Sequence, residues 1–372
     1  IQGLTDVGLL SAQMPGYLDN DGLANYFPPR DGDANRGSDI LTSYLLAATH
    51  EAASIDPAFA LPDDVRAPME GGLIAFVEGR IQRSFWSPRK DLDVRKLAAL
   101  EALSRYGKAT GGMTTSLTIA PNQWPTSAVI DWLNVLRRVK DVPQRAQRIE
   151  EANNVLKARL SYQGTKLIFS TEQDDYWWWL MTNGDVNTAR LLLAVMDDPG
   201  WKDDLGRLAS GFIGRQQRGA WHTTTANLWG GLALEKFSKT FESEPVAGLT
   251  AAQLGETKAQ VDWSQVERVK ASDAGGAMHR RSMFGAPASP GPLPNNPMFR
   301  PGPTGNAGRD TLLVTQQGSG RPWLTVQSLA AVQLKAPFAA GYAIKKTVTP
   351  VEQAASGKYT RGDILRVTLE VN

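Results

Sequence analysis

Apolar side chains recur every three to four positions through most of the first 240 residues. That spacing is typical of helices with one buried face. Short polar segments or turns rich in proline and glycine separate the stripes, which predicts about ten helices joined in pairs. The clearest stripes cover residues 41–52, 73–85, 94–106, 129–136, 149–160, 191–195, 205–212 and 228–237.

Polar residues ahead of several stripes are suited to begin helices, since their side chains can accept from free backbone N–H groups. Ser38 is the predicted cap of the first stripe, and Asp185 is the predicted cap of the stripe at 191–195. The turn Gly219-Ala220-Trp221 precedes three threonines that can cap the last helix. The segment from Gly219 to Phe237 is therefore interpreted as the closing part of a helix pair.

Two segments interrupt the helical pattern. Residues 162–170 have a central glycine and an apolar tail, which predicts a small β-hairpin inserted between helices. Residues 113–119 are predicted to be an extended segment that partners this hairpin.

Many of the helices are apolar over more than a narrow stripe, so each should contact neighbours on two sides. Two concentric rings of helices, an α/α toroid, satisfy that requirement. A stacked α-solenoid is the alternative, although the variable spacing of the helix pairs fits a strict repeat poorly.

The pattern changes after Phe241. Seven prolines lie within residues 285–303, a composition typical of an extended linker. Segments rich in β-branched and aromatic residues indicate strands at 250–263, 311–315, 323–329, 342–349 and 364–371. The predicted fold class is mainly α, an α/α toroid followed by a smaller β-sandwich portion. The predicted domains are 1–242 (toroid), 243–274 (short β segment), 275–308 (Pro/Gly-rich linker) and 309–372 (first part of a β-sandwich).

Composition narrows the possible chemistry. The 372 residues have 42% hydrophobic and 21% charged side chains and a net charge of +2, which is ordinary for a globular protein and gives no sign of a nucleic-acid partner. There is no cysteine, which rules out disulfides, thiolate metal sites and cysteine nucleophiles within the chain. The chain begins at Ile1 without an initiator methionine or a leader-like segment and stops at Asn372 in the middle of a strand-like run, so both ends are expected to be cuts within a larger protein.

One local cluster resembles an active site. Asp174 and Asp175 precede Tyr176 and three consecutive tryptophans, so paired carboxylates beside an aromatic wall could serve a terpene-cyclase-like or glycosidase-like enzyme. The favoured interpretation is structural, because consecutive residues of a helix point about 100° apart and cannot line one cavity together. His50, His222 and His279 lack the spacing of a zinc site. No catalytic, cofactor-binding or metal-binding residue is predicted.

The order of the predicted domains and several sequence segments within them resemble those of a known protein family. The strings are 322–328, 341–352 and 358–367, and the signature Gly219, Trp221, Thr223, Thr224, Asn227 and Trp229. Together they resemble the C-terminal part of bacterial alpha-2-macroglobulins. The resemblance implies a thioester-type helical domain, the remainder of a CUB domain and the start of a terminal macroglobulin domain.

The resemblance also implies a function. Family members trap endopeptidases after a bait region is cleaved, and many acylate the attacker through a thioester. This chain lacks the thioester cysteine, so either the cysteine precedes Ile1 or the protein is one of the thioester-less members. The expected protein is therefore a non-enzymatic protease inhibitor without a cofactor. Its expected partners are proteases and the rest of its own parent chain, with other envelope proteins as a further option. The implied location is the periplasm or cell envelope, leaving open an anchor to the inner membrane outside this chain. Cleavable residues in the linker at 275–308 suggest a bait there, but a flexible tether is favoured.

Overall fold

The computed structural model divides the chain into two compact units, Ile1–Leu324 and Thr325–Asn372. Among the residues that the structure describes, no helix is long and apolar enough to cross a membrane. The described residues are 12–29, 36–84, 87, 90–117, 120–164, 166–169, 177–265, 311–324 and 344–371.

Eight α-helices are bounded within the described part of the first unit. They are α1 (Asp39–Ala53), α2 (Asp63–Val77), α3 (Leu92–Arg105), α4 (Thr126–Arg138), α5 (Arg145–Ala158), α6 (Gly184–Val195), α7 (Lys202–Ile213) and α8 (Thr224–Phe241).

Five of these helices form a closed inner ring. Helix α1 packs on α3, α3 on α4, α4 on α6, α6 on α8, and α8 returns to α1. The closure is made by the rings of Tyr44 in α1 and Trp229 in α8, whose centroids lie 6.5 Å apart. Helices α2, α5 and α7 pack outside this ring, on α1 and α3, on α4 and on α6, respectively. The predicted α/α toroid is confirmed.

Burial explains why the sequence has such wide apolar faces. In the inner helix α4 every residue from Thr126 to Leu136 is buried. In the outer helix α5 the buried residues are only Ala152 and Leu156. An inner helix has protein on all sides, whereas an outer helix shows its polar face to solvent.

The inner helices run in the same direction. Asn183, the N-cap of α6, donates from Nδ2 to Oγ1 of Thr223, the N-cap of α8, at 3.0 Å. At the same end of the ring, Asp39 begins α1 and accepts two hydrogen bonds from Arg95 in the first turn of α3, at 2.9 and 2.6 Å. The C-terminal ends of the inner helices therefore converge at the opposite end.

The predicted β-hairpin is confirmed. Strands β1 (Leu160–Gln163) and β2 (Lys166–Phe169) pair antiparallel around Gly164, whose φ of +61° favours glycine. The hairpin packs on α7, where the backbone oxygen of Leu167 lies 2.3 Å from the position a Cβ would take on Gly211. Only a glycine fits at that crossing.

A three-stranded antiparallel sheet follows the helices, in the order β4–β3–β5. Its strands are β3 (Leu249–Leu254), β4 (Thr257–Asp262) and β5 (Leu312–Gln317). The prediction assigned β5 to a separate domain at 309–372, but Leu249 pairs with Gln317 and Leu254 with Leu312. This strand belongs to the sheet of the preceding segment, because its backbone hydrogen bonds go to β3. The other predicted boundaries stay predictions.

The second unit contains a two-stranded antiparallel sheet, β6 (Ile344–Glu352) and β7 (Ile364–Val371), with a bulge between Pro350 and Glu352. Both strands lie where the β-branched pattern predicts them.

Three local predictions differ from the structure. The segment predicted to be extended at 113–119 is a 3-10 helix, Gly111–Ser116, whose turn is closed by the Thr114 hydroxyl on the carbonyl of Gly111. The cap of α6 is Asn183 rather than Asp185, because the Asn183 side chain accepts from two backbone N–H groups and Asp185 lies within the first turn. Trp323 lies outside any strand. The linker at 275–308 and residues 325–329 lie outside the described residues.

Candidate functional site

Charged side chains meet on the axis of the inner ring, towards the C-terminal ends of its helices. Basic side chains in a last helical turn are favourable because they complement the partial negative charge of the free carbonyls. Arg105 and Arg138 are the last residues of α3 and α4. The group, called the axial network below, consists of Glu51, Glu101, Arg105, Asp131, Arg138, Arg190 and Lys236.

Glu101 lies at the centre of the axial network, with its side chain 1% exposed. Its carboxylate accepts from Nε of Arg105 at 3.0 and 3.1 Å and from Nη1 of Arg138 at 3.0 Å. Nη2 of Arg190 lies 3.7 Å away. One buried carboxylate is thus shared by three guanidinium groups.

Two further carboxylates complete the network. Glu51 from α1 accepts from Nη1 of Arg105 at 2.7 Å, and Nζ of Lys236 from α8 lies 3.6 Å from its other oxygen. Asp131 from α4 accepts a short hydrogen bond from Nη2 of Arg190 on α6. The ion pairs therefore join all five inner helices across the axis.

The surroundings move the pKa values of the two most buried acids in opposite directions. Burial alone would raise the pKa of Glu101, but the charges of Arg105, Arg138 and Arg190 outweigh it and hold that pKa well below its usual range. Burial raises the pKa of Asp131 to about 6, against the opposing charge of Arg190 and with a further increase from Glu101. Glu101 is therefore the ionised centre of the network at neutral pH, whereas the pKa of Asp131 lies above its usual range.

An aromatic wall closes one side of the network. Trp229 of α8 is 2% exposed, and its ring lies 5.3 Å from Cζ of Arg190 and 5.8 Å from Cζ of Arg105. Both distances are within the range of cation–π attraction. Trp229 belongs to the sequence segment 219–237, so the contribution of this segment to the axis is an apolar wall.

The space that the described residues leave beside the axial network is small. A cavity of about 50 Å³ opens between the charged side chains and Trp229. Pockets that enclose small-molecule substrates usually measure about 300–1,000 Å³. Among the described residues, no group of three or more His, Asp or Glu side chains is arranged to hold a metal ion.

The turn at Gly219 acts as a brace between α7 and α8. The Trp221 ring stacks on Phe212 at 4.1 Å, and its Nε1 donates to the Phe212 carbonyl at 3.0 Å. Asn227 fixes the turn, accepting from the backbone N–H of Trp221 at 3.0 Å and donating to its carbonyl at 2.8 Å. His222 beside it is exposed. The structural interpretation of this motif is confirmed.

The acidic and aromatic cluster is described only in part, because Asp174 and Asp175 lie outside the described residues. The tryptophans that follow face different surroundings. Trp177 is buried, Trp178 is 54% exposed, and Nε1 of Trp179 donates to Asp91 at 3.0 Å. The α-helical spacing predicted for these side chains is wrong, because Trp178–Leu180 is a 3-10 helix and the rings of Trp177 and Trp179 pack with their centroids 5.1 Å apart.

The axial network was not identified from the sequence. Its local signal in the sequence is Glu101 followed by Arg105, an i, i+4 pair of opposite charge in α3. The other partners are distant along the chain, and only the closure of the ring brings them together.

The fold defines an α/α toroid with an added antiparallel sheet. No family model matches the sequence, and no curated protein matches it. Among solved structures, the chain is similar to native alpha-2-macroglobulin from Escherichia coli spanning domain MG7 to the C-terminus, with 12% identity and a TM-score of 0.48, covering 70% of this chain and 38% of that one.

Two activated forms of the same Escherichia coli protein are also similar. The trypsin-activated form has 13% identity and a TM-score of 0.44, covering 68% of this chain and 16% of that one. The form activated by porcine elastase has 13% identity and a TM-score of 0.45, covering 68% and 22%. This chain thus spans well under half the length of each structure, and the likeness is distant.

Proposed function

We propose that this chain forms the C-terminal part of a bacterial alpha-2-macroglobulin-like protein that traps or inhibits endopeptidases, and that it acts without enzymatic turnover. The observation that carries the proposal is the order of the elements. A helix ring is followed by a short antiparallel sheet, and a separate β unit comes last. This is the order that the sequence strings at 322–328, 341–352 and 358–367 imply.

The filled axis supports a non-enzymatic role. An α/α toroid that acts on a substrate needs room among its inner helices, but here the axial network leaves about 50 Å³. The carboxylates of the network are also engaged, since Glu101 and Glu51 both accept from Arg105. A network of this kind stabilises the ring and does not present a free acid and base to a substrate.

The absence of cysteine limits how this chain would hold a protease. No residue of the chain can supply a thioester thiol. The contribution of these residues is therefore proposed to be non-covalent, through the helix ring as a scaffold and the β units as connections to the rest of the parent protein. The proposed location is the periplasm or cell envelope, where foreign endopeptidases would be met.

The alternative is an α-toroid enzyme that uses Asp174 and Asp175. The aromatic side chains next to them favour it, because Trp177 and Trp179 pack at 5.1 Å and form a local aromatic cluster. Such an enzyme would require both carboxylates for turnover of a prenyl or glycan substrate.

Substitution of the two aspartates separates the hypotheses. In the complete parent protein, Asp174→Ala and Asp175→Ala should leave the inhibition of a protease unchanged. Trypsin and porcine elastase are suitable probes, since the similar Escherichia coli protein is activated by both. The rate at which each protease hydrolyses a protein substrate would be measured in the presence of wild type and of each variant, and the two rates would be compared. Loss of a prenyl- or glycan-converting activity in a variant that stays folded would reject the proposal.

A further inference from the structure

The mouth of the axial cavity has an excess of positive charge. Among the described residues that line it, the cationic groups are Arg105, Arg138, Arg190 and Lys236, and the acidic group is Glu51. Glu101 and Asp131 lie behind this lining and pair with the arginines. Even with all three carboxylates ionised, the network has one more cation than anions.

Two of the lining cations have hydrogen-bonding capacity left. Nε of Arg190 is buried and has no hydrogen-bond partner among the described residues. Nζ of Lys236 lies 3.6 Å from Glu51, which is an ion pair beyond hydrogen-bond distance. A buried charged donor without an acceptor is costly. The Lys236 side chain is 37% exposed, so its ammonium group is the one that an acceptor entering the cavity can reach.

The volume and the lining residues of the cavity indicate which kind of anion it can bind. About 50 Å³ accommodates a few waters or one small anionic group. Guanidinium groups match the planar geometry of a carboxylate, which can accept two parallel N–H bonds. Trp229 provides an apolar wall against which the carbon end of an organic acid can pack. The side-chain amide of Asn134 adds a neutral donor to the lining.

We propose that the axial cavity binds a single carboxylate group between Arg190, Arg138 and Lys236. The carboxylate comes from a small organic acid or from an acidic side chain of a polypeptide that approaches this end of the ring. The opening is at the convergent C-terminal ends of the inner helices, where Arg138 and Lys236 are 31% and 37% exposed.

The proposal is tested on the full chain with formate as the probe, which stays ionised near neutral pH. Formate is titrated against chloride at equal ionic strength while the side-chain Nε–H signals of arginine are followed by NMR. A saturable shift of an arginine signal with formate, and its absence with chloride, is expected. Arg190→Lys and Lys236→Gln should each weaken apparent formate affinity by about fivefold or more, because the first replaces the planar guanidinium fork by a single ammonium group and the second removes a positive charge.

Arg80→Lys is the matched control, since Arg80 is 60% exposed and pairs with Glu78 outside the ring axis. It should leave formate binding unchanged. Lys236→Gln keeps the test decisive if Arg190→Lys does not fold, because Lys236 is on the rim.

A second titration identifies the source of the carboxylate. A short blocked peptide with one glutamate is compared with its glutamine counterpart. Tighter binding of the glutamate peptide than of formate assigns the cavity to a polypeptide side chain, and binding of formate alone assigns it to a free acid. Equal effects of formate and chloride, no binding of either probe, or wild-type affinity in Lys236→Gln would overturn the proposal.

Discussion

Glu101→Gln tests whether the axial network holds the inner ring together. The substitution keeps the shape of the side chain and removes the charge on which Arg105, Arg138 and Arg190 converge. Arg105 is 3% exposed, so it cannot turn to solvent and is left with Glu51. Removing one partner of a buried ion pair costs about 3–5 kcal/mol, and the remaining bond to Glu51 places the expected loss near the lower end, about 3 kcal/mol.

The assay is urea unfolding followed by tryptophan fluorescence, since Trp132 and Trp229 are buried in the ring. The matched control is Glu78→Gln, because Glu78 pairs with Arg80 at 2.7 Å on the surface, with side chains 39% and 60% exposed. Exposed pairs contribute about 0–1 kcal/mol, so the control should unfold close to wild type. A loss below about 1 kcal/mol for Glu101→Gln, or one equal to that of the control, would refute the structural role assigned to the network.

Three further outcomes are expected. The pKa of Asp131 is raised to about 6 from an ordinary 3.8, so its protonation stabilises the fold fully below pH 4, and this contribution is lost as pH rises through 6. The unfolding free energy of wild type relative to Asp131→Asn should therefore fall by about 1 kcal/mol between pH 5 and 7.5. An increase over this range would contradict the reasoning. Gly230→Ala should destabilise the protein by about 2 kcal/mol, because the new Cβ would lie 2.6 Å from the Trp221 ring. Gly231→Ala should stabilise it by about 0.5–1 kcal/mol, because the space beside Gly231 is open. Equal melting temperatures of the two variants would disprove this difference. Asn227→Ala should cost about 2 kcal/mol in urea unfolding, as it leaves the Trp221 backbone N–H and carbonyl without their side-chain partner, and wild-type stability would exclude the proposed brace.

The local elements were largely predictable from the sequence because their causes are local. The Ser38 side chain accepts from the backbone N–H of Leu41 at 3.2 Å, as its place before the first stripe predicts. Gly164 forms the hairpin turn at the position that the local sequence predicts. The complete burial of α4 is less evident from its sequence, because the polar residues Ser127, Asp131 and Asn134 are buried together with its apolar stripe.

Features that depend on distant partners were not predictable in this way. Arg190 and Asp131 are 59 positions apart, and nothing in either neighbourhood indicates the other. The pairing of β5 with β3 likewise depends on register between strands separated by the proline-rich segment. The capping change at Asn183 was missed because Asp185, another good N-cap residue, lies two positions later.

The proposal that this chain belongs to a non-enzymatic protease trap is tested most directly by titrating the intact parent protein against trypsin. The rate of casein hydrolysis is the measured quantity. Hydrolysis is predicted to fall as the protein is added and to level off at a fixed molar ratio, with the same curve for the Asp174→Ala and Asp175→Ala variants. Undiminished casein hydrolysis at a molar excess, with the added protein merely degraded, would contradict the proposal.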